Sequence, residues 1–161
     1  ELLLKTDNYM GGRYFAELVK VTFSKMEKDA YTFAENRLSI YGKNRVEWSR
    51  LASWFDVHGM YHPHNRWMIQ FPRTWGYLHQ SGAVKSFGEL LENIFMPLWE
   101  VTIDPSKDPK LDYFLTHISG FDCVDNESTP DPTLVNTPPE QWTSGTNPPY
   151  AYWMYFLWVN T

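Results

Sequence analysis

An apolar run opens directly into a cluster of three acids in the stretch Ile118-Ser119-Gly120-Phe121-Asp122-Cys123-Val124-Asp125-Asn126-Glu127-Ser128. Strands of parallel sheets form short apolar runs because both of their faces are covered. In barrels and doubly wound folds, functional residues follow such strands. This interpretation predicts a strand over residues 118–124, with Asp122, Asp125 and Glu127 at its functional end. The alternative is a solvated acidic turn before a proline-rich loop.

Helical and strand-like segments alternate along the chain. Apolar residues at helical spacing predict three amphipathic helices, over about residues 13–28, 45–57 and 87–101. Aromatic and β-branched runs predict two further strands, over about residues 31–42 and 66–73. Gly59 fits the C-terminal stop of the second helix, and Pro97 is expected to kink the third helix or end its regular part. The alternation predicts an α/β fold with parallel strands, either a small open sheet or part of something larger.

The last third of the chain is less regular. A short helical turn is expected over residues 111–117, and six of the eleven prolines predict an irregular loop over residues 129–149. Asn147 can then cap a final helix with Pro148 at its first position. That helix is apolar around its whole perimeter, which favours burial on nearly all sides.

Polar and apolar residues alternate in the first predicted strand. Glu35 and Arg37 share one face with Ser39, whereas Leu38 and Ile40 share the other. An exposed antiparallel strand would account for this alternation. In a covered parallel sheet the charges need partners, because unpaired buried charge is costly. A polar-lined barrel interior would supply such partners.

Composition excludes several classes of protein. The chain has 161 residues, 43% of them hydrophobic and 17% aromatic, which suits one globular domain and argues against disorder. Its net charge of −5 comes with no basic stripe, so we expect no nucleic-acid partner. No apolar run is long enough to cross a bilayer, so we expect a soluble, cytoplasmic protein that does not bind membranes.

Neither the single cysteine nor the His-x-His pair indicates a reactive site. Cys123 is flanked by Asp122 and Asp125, which disfavour a thiolate, so we interpret it as a packing residue. The pair His62 and His64 has a spacing that metal sites use, but it precedes a strand and looks like an exposed turn. We therefore expect no metal bound to this chain.

Blocks spread over nearly the whole chain resemble AMP deaminases of the adenosine deaminase superfamily. They occur in that family's order: Leu4-Lys5-Thr6-Asp7-Asn8-Tyr9, Phe33-Ala34-Glu35-Asn36-Arg37-Leu38-Ser39-Ile40-Tyr41-Gly42, Asn65-Arg66-Trp67-Met68-Ile69-Gln70-Phe71-Pro72-Arg73, Leu91-Glu92-Asn93-Ile94-Phe95-Met96-Pro97-Leu98, Gly120-Phe121-Asp122 with Asp125 and Glu127-Ser128, and Asn147-Pro148-Pro149-Tyr150. The resemblance implies a zinc-dependent hydrolase that converts AMP to IMP and ammonia, using zinc-activated water.

The resemblance also implies the architecture. We expect residues 1–161 to be a partial catalytic domain, part of a TIM (β/α)8 barrel that is incomplete in this chain. The family's zinc ligands, catalytic glutamate and histidine, and phosphate-binding lysine fall outside the matched blocks. We therefore expect no catalytic residue in this chain and predict that it is inactive alone. The intact enzyme would be a homotetramer.

The substrate side of the site is the one part carried over. Adenosine deaminase has a glycine in the corresponding acidic turn whose main-chain N–H approaches the purine, and Asp125 occupies that position. Most relatives have a second acid next, where this chain has Asn126. A polar lining that orients the site is expected from the remaining candidates, Glu35, Arg37, Arg73, Asp122 and Glu127. Alternatives are a deaminase of the free nucleoside, and a truncated, non-catalytic relative acting as an interaction module.

Overall fold

The computed structural model describes residues 2–126, 128 and 136–161. One parallel sheet has the strand order β1 (Ala34–Ser39), β2 (Asn65–Pro72), β3 (Ile118–Val124). The helices within the described ranges are α1 (Arg13–Met26), α2 (Glu47–His58), α3 (Trp75–Gln80), α4 (Phe87–Ile103), α5 (Pro109–Leu115) and α6 (Tyr150–Asn160). The predicted α/β alternation with parallel strands is confirmed.

The pleat of the sheet separates polar from apolar side chains. One row of neighbouring residues on the polar face is Ser39, Gln70 and Asp122. The adjacent row on the opposite face is Leu38, Ile69 and Phe121. Successive residues of a strand point to opposite faces. The alternation predicted for the first strand therefore extends across all three.

Aromatic rings from the helices cover the apolar face. Trp48 of α2 meets Phe71 of β2 edge to face, with ring centroids 6.3 Å apart, and Phe95 of α4 lies 5.8 Å from the same Phe71 ring. Trp48 is fully buried, and its indole Nε1 donates a hydrogen bond of 2.8 Å to the carbonyl of Ile94. A buried tryptophan whose N–H is paired removes a large apolar area from water at little polar cost.

Two helical features differ from the sequence prediction. The α3 helix, Trp75–Gln80, lies where no element was predicted, because six residues are too few to show apolar periodicity. The α4 helix, predicted over about residues 87–101, continues past Pro97 to Ile103, so of the two expected effects of Pro97, a kink or an end of the regular helix, the end is wrong. Burial of Ile94 before the proline and Val101 after it anchors both halves. That burial offsets the roughly 3 kcal/mol that an internal proline costs.

The last helix also differs from expectation. It begins at Tyr150, and Asn147 makes no capping bond to it. Trp153 is buried, but Trp158 is 75% exposed, so burial on nearly all sides is wrong for this chain. The reason is that α6 packs one side against Phe87 of α4, with the rings of Phe87 and Trp153 5.2 Å apart. In the described ranges, no helix combines the length and apolarity needed to cross a membrane.

Phe55 tests how much the aromatic layer contributes to stability. It is fully buried, with ring centroids 4.5 Å from Phe114 and 5.1 Å from Trp67. We expect Phe55→Ala to lower the free energy of unfolding by about 3–5 kcal/mol, because a cavity replaces these contacts. Urea denaturation measures the change. Val57→Ala, on the same helix but 71% exposed, is the matched control and should change stability by less than about 0.5 kcal/mol.

Candidate functional site

The carboxyl ends of β2 and β3 are joined directly beyond the sheet. The Arg73 N–H, one residue past β2, donates a backbone hydrogen bond of 3.0 Å to the carbonyl of Val124. This bond continues the parallel register by one step and brings the next residue, Asp125, beside Arg73. The carboxyl ends of parallel strands are where α/β folds place functional groups. Arg73 and Asp125 therefore stand at the edge that the sequence identified.

The guanidinium of Arg73 bridges two segments of chain. Its Nη1 donates to the Asp125 Oδ2 at 2.6 Å, and its Nη2 donates to the carbonyl of Pro148 at 2.6 Å. Its central carbon lies 5.4 Å from the ring centroid of Tyr150. The Arg73 side chain is 9% exposed and that of Asp125 is 22% exposed, so water screens this pair weakly.

A second ion pair lies on the polar face of the sheet. Arg37 of β1 reaches across β2, and its Nε donates to the Asp122 Oδ2 at 2.8 Å. Beside it, the Gln70 amide donates to the Ser39 hydroxyl at 2.9 Å. The hydrogen bond from Arg37 holds the pKa of Asp122 below its usual value. The partner that Arg37 required is therefore on the third strand of the same sheet.

The remaining candidates do not join these pairs. Glu35 lies at the amino end of β1, beside Arg66, and is exposed. Within the part of the chain that the structure describes, the side chain of Glu35 makes no hydrogen bond or ion pair. Glu127 lies outside the described residues. The candidates thus separate into two linked pairs and one isolated acid.

Asn147 is a site contact that sequence reasoning assigned to another role. Its side-chain amide donates to the carbonyl of Arg73 at 2.8 Å, and its Oδ1 accepts from the N–H of Gly76 at 3.1 Å. The side chain is therefore occupied at the end of β2 rather than at the start of α6. The Asn-Pro-Pro-Tyr sequence indicates a turn before a helix. It carries no signal for a partner more than seventy residues earlier.

The surroundings of Cys123 disfavour its thiolate. Burial raises the pKa of its thiol to about 11. Sequence reasoning had attributed a disfavoured thiolate to the neighbouring acids. Burial is the larger cause, and Arg73 counteracts the carboxylates.

The His-x-His pair lies in a different environment from the one expected. His62 is buried rather than exposed, because its ring stacks on Phe23 of α1 with centroids 4.7 Å apart. Its Nδ1 accepts the N–H of His64, and its Nε2 lies 3.4 Å from a carboxylate oxygen of Glu27. No three His, Cys, Asp or Glu side chains in residues 2–126, 128 and 136–161 are grouped to hold a metal ion. The described residues therefore do not fit a zinc site.

The Arg37–Asp122 pair predicts a measurable titration. The lowered pKa of Asp122 means that the pair stabilises the fold above about pH 4, and the contribution is lost as pH falls through the lowered pKa. In Arg37→Gln we expect the pKa of Asp122 to rise toward its ordinary value. Carbon-13 NMR of the side-chain carboxyls measures this. Asp104 is the internal control, because its lowered pKa comes from Ser106 and should not move.

Cys123 predicts slow alkylation. A pKa of about 11 leaves roughly one thiol in a thousand ionised at pH 8. We expect iodoacetamide to modify the native protein at least about 10-fold more slowly than it modifies the urea-unfolded protein. A native rate equal to the unfolded rate would contradict the buried thiol. Mass spectrometry of the Cys123 peptide gives both rates.

Comparison with known proteins identifies the family. The sequence profile of the AMP deaminase family matches residues 1–161, the whole chain. AMP deaminase 3 of Rattus norvegicus is 44% identical over 99% of this chain and 21% of its own length. The AMP deaminase of Schizosaccharomyces pombe is 46% identical over 99% of this chain and 19% of its own length. The probable AMP deaminase of Oryza sativa subsp. japonica is 45% identical over 99% of this chain and 20% of its own length. The chain therefore spans about a fifth of the length of these relatives. Since the family profile covers every residue, the chain belongs to the AMP deaminase family.

Proposed function

We propose that these residues form part of the catalytic domain of an AMP deaminase, which hydrolyses AMP to IMP and ammonia. The observation that carries the proposal is the family match over the whole chain. The Arg73–Asp125 pair at the carboxyl end of the sheet supports it, because this is the edge where α/β enzymes act. We further propose a cytoplasmic homotetramer, on resemblance alone.

The proposed architecture is a sector of a (β/α)8 barrel spanning residues 1–161, with a proline-rich loop at about 129–149. Two features support this. Helices cover the apolar face of the described sheet, through rings such as Trp48 against Phe71 and Phe55 against Trp67. The opposite face carries Arg37, Gln70 and Asp122 in contact with strand neighbours. A barrel has this arrangement, with helices outside and side chains converging inside.

In this proposal the main-chain N–H of Asp125 faces the purine. The Asp125 carboxylate accepts a hydrogen bond from Arg73, which holds this residue at the strand end. The Asn126 that follows does not affect such a contact, because a backbone N–H does not depend on the neighbouring side chain. Glu35, Arg37, Asp122 and Glu127 are proposed as polar lining of the barrel interior.

Zinc enters the proposal through the family alone. The described residues provide no set of zinc ligands, so the metal and the groups that transfer protons are assigned to other parts of the polypeptide. The contribution of these 161 residues is to shape and orient the purine side of the pocket. The 5′-phosphate is likewise assigned to basic groups outside this chain.

Ammonia release tests the proposal directly. We expect the full-length polypeptide that carries this segment to release ammonia from AMP, and to lose that activity on dialysis against a zinc chelator and regain it with zinc. Residues 1–161 alone should release none. Adenosine in place of AMP is the substrate control, and its preferred turnover would favour the nucleoside deaminase. Absence of ammonia from both substrates would contradict the proposal.

One observation favours a second candidate, a non-catalytic interaction module. Trp158 is 75% exposed and Trp99 is 63% exposed on this chain, and large exposed aromatic residues favour association. The two candidates differ in the size of the native product. Immunoblotting from the native source against residues 1–161 should reveal a polypeptide about five times longer if the enzyme is correct. A stable product of about 19 kDa would support the module.

A further inference from the structure

We propose that Arg73 is a positioning residue that closes the base of the loop between β3 and α6 and thereby fixes the main chain of Asp125. Its guanidinium contacts Asp125 where that loop begins and Pro148 where the loop ends. The inference rests on the proposed function, because it assigns Arg73 a task in AMP deamination. It differs from a substrate-binding role, which a strand-end arginine facing a nucleotide would otherwise suggest.

The two hydrogen bonds leave the guanidinium in one orientation. Nη1 and Nη2 each donate at 2.6 Å, one to a carboxylate and the other to a carbonyl. Arginine can satisfy both at once because its donors form a rigid planar fork. A free loop must pay conformational entropy whenever its ends come together. By joining the two ends, Arg73 holds the Asp125 turn at a set distance from Pro148.

The charge of Arg73 is already matched inside the protein. Its side chain is 9% exposed, it pairs with the Asp125 carboxylate, and the Tyr150 ring lies against it. Bringing a phosphate to the guanidinium would require breaking this weakly screened pair. Arg73 therefore acts on a substrate through Asp125 rather than by direct contact.

The main chain of Arg73 is held as firmly as its side chain. Asn147 accepts from Gly76 and donates to the Arg73 carbonyl, which ties the loop end to the start of α3. The indole Nε1 of Trp75 donates to the carbonyl of Ser144 at 2.8 Å. These bonds hold the loop end against β2 together with the bond from the guanidinium to Pro148. Arg73 then transmits that position to Asp125.

Gly76 offers a second way to displace the same loop end. A Cβ atom added there would lie 2.7 Å from the carbonyl oxygen of Gly145, closer than real Cβ contacts allow. Gly76→Ala must therefore move the Gly145 backbone while leaving Arg73 and Asp125 chemically intact. It perturbs the base of the loop without removing a charge.

Kinetics of the full-length protein test the inference. Arg73→Lys keeps the charge but cannot span both acceptors, so we expect kcat/KM for AMP to fall about 10- to 100-fold, mostly in kcat. Gly76→Ala should also lower kcat/KM for AMP. The ratio of AMP to adenosine turnover should stay unchanged in both variants. Lys110→Met, which breaks the exposed 2.8 Å pair with Asp56, is the control and should retain wild-type kinetics.

Two further measurements separate positioning from mere stability. A positioning role predicts that Arg73→Lys and Asp125→Asn combine to a loss no larger than the greater single loss, because both break one link. It also predicts that guanidinium ion at millimolar concentration partly restores the activity of Arg73→Ala. Independent losses that multiply would overturn the inference, as would failure of the added ion when Arg73→Ala is folded by circular dichroism.

Hydrogen exchange tests the link that Arg73 makes between Asp125 and Pro148 without relying on activity. In Arg73→Lys we expect faster exchange in peptides covering both 122–126 and 144–149, with exchange in α2 unchanged. Unchanged exchange at both loop ends would overturn the inference that Arg73 links them. A rise in KM for AMP alone, with kcat and adenosine turnover kept, would show a phosphate ligand instead. If the wild-type protein releases no ammonia from AMP, the proposed function fails, and hydrogen exchange alone then tests whether Arg73 links the two loop ends.

Discussion

Alternation of side chains along three parallel strands is the constraint on which the other contacts depend. Because successive residues of a strand point to opposite faces, one register of pairing determines the composition of both faces together. Ile69 and Phe71 bring β2 into the aromatic layer under α2 and α4, and the same register places Gln70 beside Ser39 and Asp122. A slip of one residue would bury Gln70 and expose Phe71. The apolar face therefore sets the geometry of the polar face.

The charges on and beyond the polar face are held in two different environments. Arg37 and Asp122 are 48% and 37% exposed, so solvent weakens their attraction and the pair orders side chains more than it stabilises the fold. Arg73 and Asp125 are far less exposed, and the arginine has additional partners. Removing one member of that pair would leave a weakly solvated charge behind. The Arg73–Asp125 pair, at the strand ends, therefore depends more on its surrounding contacts than the Arg37–Asp122 pair does.

Most elements of the fold were predictable from local pattern. The third strand lies at the residues predicted, Ile118–Val124, because an apolar run bounded by turn residues is a strong strand signal. Gly59 ends α2 with a left-handed φ of 62°, as its position indicated. The pattern failed where long-range packing outweighed it. Burial on both sides of Pro97 kept α4 continuous, and contact with α1 buried His62 in what resembled an exposed turn.

For the candidate site, the amino-acid sequence by itself determined which residues carry charge at the strand ends and, through its motifs, the family. It could not determine which charges pair. Arg37 finds Asp122, and Arg73 finds both Asp125 and Pro148, through contacts between residues more than fifty positions apart. Those choices depend on strand order, register and the return of the chain before α6, none of which is written in local spacing. Only the tertiary structure decides them, because a hydrogen bond requires proximity in space, whatever the separation along the chain.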